Sequence, residues 1–182
     1  MKLTNLHLIA LTASMAVATV AIAQGNNHKE ERKTDFVTEK PMVHDPVMAE
    51  EDGTYHIFAT GMGIQRMTSK DRKQWTVISK PVMTVIPKWT HDSVPGFDKH
   101  VWAPDIIKWH GKWWLAYSCS TIGKNGSAIG LLSAKRLSSP IWNDEGCIVT
   151  SRENRDNWNA IDPNFVIDET DTPWLVWGSF WD

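Results

Sequence analysis

The chain carries no Gly-rich phosphate loop, no Cys-x-x-Cys pair, no His-Glu-x-x-His and no Gly-x-Ser-x-Gly. Their absence removes the signatures of phosphate-loop nucleotide enzymes, paired-cysteine sites, zincin-type proteases and α/β serine hydrolases. It lacks a basic excess as well: the formal net charge is -2 and no Lys/Arg stripe is present, so no nucleic-acid partner is expected. No stretch sustains an apolar stripe at helical spacing; the apolar runs are short or alternating and end at Gly, Pro, Asp or Ser, as strands require. Tyrosine (2) and phenylalanine (5) are scarce beside 11 tryptophans. Tryptophan fills cores, and its flat face also stacks on sugar rings.

At 182 residues, 42% hydrophobic and 22% charged, the chain has the length and composition of one globular domain or slightly more. "MKLTNLHLIALTASMAVATVAIAQ" has a lysine, an apolar run from Leu8 to Val20 and Ala21 and Ala23 before Gln24. That is the pattern of a secretory signal over 1–23, too short and too rich in Thr and Ser for a membrane anchor. Residues 24–38, "GNNHKEERKTDF" and its continuation, read as a flexible leader, and 39–182 as the folded domain. The expected location is periplasm or medium, with no membrane partner after cleavage.

Three segments repeat: "DPVMAEEDGTYHIFAT" from Asp45, "APDIIKWHGKWWLAYS" from Ala103 and "DPNFVIDETDTPWLVWGS" from Asp162. Their prolines, Pro46, Pro104 and Pro163, lie 58 and 59 positions apart. Each runs through a strand, a polar turn with Gly53 or Gly111 in the first two copies, and an aromatic-rich strand. Between them, "GIQRMTSKDRKQWTVISKPVM" and "AIGLLSAKRLSSPIWNDEGCIVT" each give a further strand pair. A unit of four short strands repeated along the chain is the pattern of a β-propeller, and coincidental similarity inside a β-sandwich is the competing arrangement. The residues hold two complete units and the first half of a third. Cys119 and Cys147 fall on the second and fourth strands of the middle unit, too far apart to bridge, and are expected to be free, half-buried thiols.

In a propeller the first strand of each unit lines the central channel. Asp45 and Asp162 would then face each other there, with Asp105 two positions further along in the middle unit, which has Ala103-Pro104 in place of Asp-Pro. Clustered carboxylates serve glycoside hydrolysis as acid and base, or bind a hard cation, and a single Asp-Pro can also simply cap a strand entry. Trp89, Phe97 and Trp102 lie in or just after the connection "PKWTHDSVPGFDKHVWAPD" and are candidate sugar platforms. His44 and His100 lie beside channel acids and could bond to them or to a sugar hydroxyl.

"VHDPVM", "HVWAPDIIKWHGKWWLAYS", "SAIGLLSAK" and "NAIDPNFVIDETDTPWLVWGSFW" resemble the endo-1,5-α-L-arabinanase group of glycoside hydrolase family forty-three, from about Met42 to Asp182. The resemblance implies a five-bladed β-propeller, of which about two and a half blades are present, and a secreted, monomeric enzyme that cleaves arabinan or arabino-oligosaccharides with inversion. It implies Asp45 as general base and Asp162 as the aspartate that tunes the acid. Asp105 would be a family-typical position of open role, with Asn159 and Ser179 lining the arabinose site. The family's acid glutamate is expected in a following blade, since none of Glu145, Glu153 or Glu169 stands at a strand start. These residues alone are therefore expected to be close to inactive. No metal ligand is expected within them, and a calcium or sodium ion on the axis is plausible for the complete protein. Within the family an exo-acting arabinofuranosidase or xylosidase is the alternative, and outside it a non-catalytic sugar-binding propeller.

Overall fold

The computed structural model describes residues 34–179. The signal reading and most of the leader lie outside the described residues. What is described is all-β apart from one short helix: β1 (Phe36–Thr38), β2 (Val47–Glu51), β3 (Thr54–Ala59), β4 (Gly61–Met62), β5 (Gln65–Ser69), β6 (Trp75–Ile78), α1 (Lys88–Ser93), β7 (His100–Trp109), β8 (Lys112–Ser120), β9 (Gly126–Ala134), β10 (Asn143–Arg152), β11 (Ile161–Ile167) and β12 (Pro173–Gly178). They form one sheet in the order β1-β6-β5-β3-β2, a second in the order β10-β9-β8-β7-β4, and the hairpin β11-β12. All pairings are antiparallel.

The four-strand unit seen in the sequence is thus β2, β3, β5 and β6 in the first sheet and β7, β8, β9 and β10 in the second, with β1 added beside β6 and β4 beside β7. Its hairpin turns follow from local chemistry. Asp52 and Gly53 have φ of 51° and 69°, and His110 and Gly111 have 47° and 75°. Two consecutive positive φ values in a two-residue loop match the right-handed twist of the strands they join, and glycine takes the second place without a Cβ clash. The third hairpin is longer and is held by Asp168, whose Oδ1 accepts from the Thr170 and Thr172 N–H groups and the Thr170 hydroxyl. Its Oδ2 accepts from Trp174 Nε1, and these donors, Trp174 foremost, hold the carboxyl well below the usual range.

Strand β8 shows how the layers assemble. Trp113, Leu115, Tyr117 and Cys119 point one way, into a core shared with Phe58, Val82, Val94 and Val101. Ala116, on the opposite face, meets Ala160, Phe165 and Leu175 beside the third hairpin. The period of two along a strand buried on both faces explains why "WWLAYSC" reads as a continuous apolar run. At Gly130 a Cβ would stand 2.4 Å from the Tyr117 ring and 2.7 Å from that of Trp89. Only a residue without a side chain lets these two rings cross β9.

Three expectations need correction. Residues 36–38 are not flexible leader: they are β1, paired with the outer strand β6 through Phe36–Val77, Val37–Thr76 and Thr38–Trp75. Asp35 extends the join by accepting the Ser79 N–H at 2.8 Å, a bond that lowers its pKa. An aromatic followed by two β-branched residues supplies strand propensity that the preceding charged run conceals. Helix α1 was not visible because six residues are too few for a stripe; Thr90 is buried and its hydroxyl donates to the Pro87 carbonyl at 2.8 Å. The cysteines are both free, but not half-buried: Cys119 is buried and Cys147 exposed.

Two measurements follow from this packing. Gly130→Ala is expected to destabilise the fold by about 1–3 kcal/mol through overpacking, read as a lowered unfolding midpoint. One thiol, Cys147, should react with Ellman's reagent in the native protein and Cys119 only after denaturation, since burial closes access and raises the Cys119 pKa.

Candidate active site

The three pre-proline residues share one backbone conformation. Asp45, Ala103 and Asp162 have φ of 46°, 38° and 51°, in the left-handed region where a residue with a Cβ is strained. In the second and third copies this kink is also a break in the ladder: the register shifts between Trp102 and Asp105 and between Ile161 and Asn164. A bulge leaves backbone N–H groups without ladder partners, and such groups need acceptors. They find them in the preceding repeat. Thr60 Oγ1 accepts the Ala103 N–H at 2.8 Å, and Ser118 Oγ accepts the Asp162 N–H at 3.0 Å. Thr60, Ser118 and Ser179 end the three repeats; Ser179 Oγ accepts the Asn159 N–H at 3.0 Å. Thr60 and Ser118 were not singled out in the sequence, although a hydroxyl closing every copy was the signal for them.

Asp45 and Asp162 come together. The Asp162 carboxyl pKa is raised first by partial burial and second by the negative charge of Asp45. Gly178, paired with Ile161, lies beside it: a Cβ there would stand 3.6 Å from Asp162 Cβ. Asp45 is held differently, through Oδ2, which accepts from the Thr60 hydroxyl at 2.8 Å and meets His44 Nδ1 at 2.7 Å. His44 thus sits against Asp45, with 79% of its side chain exposed.

Asp105 does not join this pair. Its Oδ2 accepts the Phe165 N–H at 2.6 Å and Asn164 Nδ2 at 3.2 Å, which ties β7 to β11. Asn159 is buried (1% exposed), with Oδ1 accepting from Ser127 at 3.2 Å and Ser151 at 3.4 Å. It organises the turn into β11 beneath the site. Ser179 is exposed at the end of the third repeat.

The aromatic platform expectation narrows. Phe97 is 4% exposed and belongs to the core, so its ring offers no face to a ligand; the apolar contacts of α1 and β7 claim it. Trp89, on α1, packs on Tyr117 with ring centroids 6.2 Å apart and donates to Asp144. Trp102 remains: half-buried, donating to His100 Nδ1 at 3.2 Å, it lines an open cavity of about 250 Å³ with Asp98, Ser120 and Thr121. Among the described residues no three His, Cys, Asp or Glu side chains converge on a metal site.

Residues 38–182 match the profile of glycosyl hydrolases family 43. The chain belongs to this family. It is 42% identical over 144 residues to the extracellular endo-α-(1→5)-L-arabinanase 1 of Bacillus subtilis, covering 77% of this chain and 44% of that protein. A crystal structure of an exo-1,5-α-L-arabinanase from a bovine ruminal metagenomic library superposes with a TM-score of 0.75 at 54% identity, over 79% of this chain and 49% of that one. The Cellvibrio cellulosa α-L-arabinanase complexed with arabinohexaose gives a TM-score of 0.70 at 43% identity, over 76% and 45%. The chain therefore spans less than half the length of these relatives.

The raised Asp162 pKa has a pH signature. An acid whose folded pKa exceeds its unfolded value lends stability that is complete below the unfolded pKa and lost as pH rises through the folded one. In an NMR titration the Asp162 carboxyl should protonate above the ordinary aspartate value of 3.8. Asp45→Asn should bring it down part-way, leaving the share due to burial. An Asp162 that titrates at or below the ordinary value would contradict the arrangement.

Proposed function

We propose that these residues are the N-terminal part of an exported arabinan endo-1,5-α-L-arabinosidase, a five-bladed propeller of which the two sheets and the hairpin make two and a half blades. The observation that carries the reading is the middle repeat. Ala103 adopts the same left-handed kink with no carboxylate, so the kink does not require aspartate. Asp45 and Asp162 are then surplus to structure, and they sit close enough for one charge to raise the other's pKa.

In this reading Asp45 is the base. It takes a proton from a water that attacks the anomeric carbon of an α-1,5-linked arabinose; the C–O bond to the leaving group breaks, and configuration inverts. Asp162, partly buried, tunes and orients the acid. That acid is a glutamate supplied by a further blade, standing roughly 6.5–9.5 Å from the base so that a water fits between them. None of Glu145, Glu153 and Glu169 answers this description: Glu145 accepts from the Ser133 hydroxyl at 2.5 Å, Glu153 lies in the turn after β10 and Glu169 in the loop of the third hairpin. Support comes from the arabinanase relatives, from the arabinohexaose bound by one of them, and from the extracellular designation of another. A signal over 1–23 and a monomeric enzyme in the periplasm or medium agree with this. Exo action is the second reading, favoured by the exo-arabinanase at 54% identity.

The test is the complete protein on debranched arabinan, with anomeric configuration followed by NMR and products by size. Short oligosaccharides of inverted configuration are expected, and release of arabinose or one fixed short product from chain ends would mark exo action. Asp45→Ala should lower kcat by about 10²–10⁴-fold, the usual worth of a general base. Binding of arabinan without turnover would identify a sugar-binding propeller instead.

A further inference from the structure

Thr60 follows β3 directly, and its backbone N–H donates to the His44 carbonyl at 3.0 Å, which fixes the residue against the segment that carries Asp45. Its hydroxyl has one proton and two neighbours at the same distance, the Ala103 N–H and Asp45 Oδ2, each at 2.8 Å. A backbone N–H can only donate, so Thr60 Oγ1 accepts there. The proton has one direction left, onto Asp45 Oδ2. His44 Nδ1 meets that same oxygen at 2.7 Å but from a side chain that is 79% exposed, so Thr60 is the firmer of the two anchors. Among the described residues Oδ1 has neither partner.

We propose that Thr60 is a positioning residue for the reaction: its hydroxyl, polarised by the Ala103 N–H, holds Asp45 by Oδ2 so that Oδ1 is the oxygen presented to the attacking water. This rests on Asp45 as the base. The residue type fits the task. The repeat that carries the base ends in threonine, whereas the repeat led by Ala103 ends in Ser118, which has a neighbouring N–H to accept but no axial carboxylate of its own repeat to hold. A β-branched side chain has fewer χ1 options than serine, so the proton points with less rotational freedom. The chain Ala103 N–H, Thr60 hydroxyl, Asp45 carboxylate also runs from the second repeat into the first, so the base is aligned only when the two sheets are docked.

In the complete protein, Thr60→Val keeps the shape and removes the hydroxyl. Its kcat on debranched arabinan is expected to fall about 10- to 100-fold with KM within about twofold, the scale of a misaligned catalytic group. Thr60→Ser should recover kcat to within about threefold of the unsubstituted protein. An unchanged kcat in Thr60→Val, a change in KM alone, or an equal loss in both variants would overturn the proposal. If the valine variant does not fold, a crystal structure of the unsubstituted protein with an arabino-oligosaccharide decides. Oδ2 on Thr60 with Oδ1 toward the water supports it, and Oδ2 toward the water overturns it. Full activity in Asp45→Ala would remove the base assignment itself, whereas an inactive Asp45→Ala beside an unaffected Thr60→Val removes only the positioning role.

Discussion

One backbone N–H per junction, that of the residue before the leading proline of a repeat, ties it to the repeat before. The left-handed kink at Ala103 and Asp162 takes this group out of its sheet's ladder, and a hydroxyl of the preceding repeat accepts it. Left unpaired in a part-buried position, each would cost about 1–3 kcal/mol. The same kink that opens the ladder turns the pre-proline side chain out of the pleat. Docking of neighbouring repeats and placement of the pre-proline side chains therefore meet in one local event, and a change at Thr60 or Ser118 touches both.

Carboxylates divide by what fills their lone pairs. Glu51 accepts from Trp113 Nε1 at 2.9 Å and the Leu137 N–H at 2.9 Å, which locks the first sheet onto the second. Asp105 does the same between the second sheet and the third hairpin, and Asp168 is consumed within its own turn. Asp45 keeps an oxygen open, and Asp162 carries a raised pKa. The carboxylate group is the same throughout; only the donors around it distinguish a joint from a group with an oxygen to spare.

This division explains what the sequence could disclose. The three prolines at near-constant spacing were enough to place Asp45 and Asp162 together, because a repeat maps linear period onto spatial equivalence. Asp105 stands two positions past that equivalence, and the register shift between Trp102 and Asp105 decides whether it joins Asp45 and Asp162 or the next sheet; no pattern in one sequence reveals a bulge in advance. Phe97 was legible as aromatic but not as buried, and Trp89 not as packed on Tyr117, since irregular connections have no period from which to read a face. The β1 strand was hidden because its partner β6 is brought to it only by folding.

The abundance of tryptophan has a similar answer. A wide ring with one N–H covers apolar surface while its edge bonds to a neighbouring element or to its own turn. Trp113 reaches Glu51, Trp89 reaches Asp144, Trp109 reaches the Asp171 carbonyl and Trp174 reaches Asp168. In each the polar edge is answered, and where the ring is buried, as in Trp113, that is the condition on which it is tolerated. Stacking on a sugar makes the opposite demand, a face left bare. Of the three aromatics put forward as platforms, Trp102 is the one at an open cavity. It also precedes the kinked Ala103 whose N–H donates to Thr60, the residue that holds Asp45, so its ring and the Asp45 carboxylate depend on the same two residues of backbone.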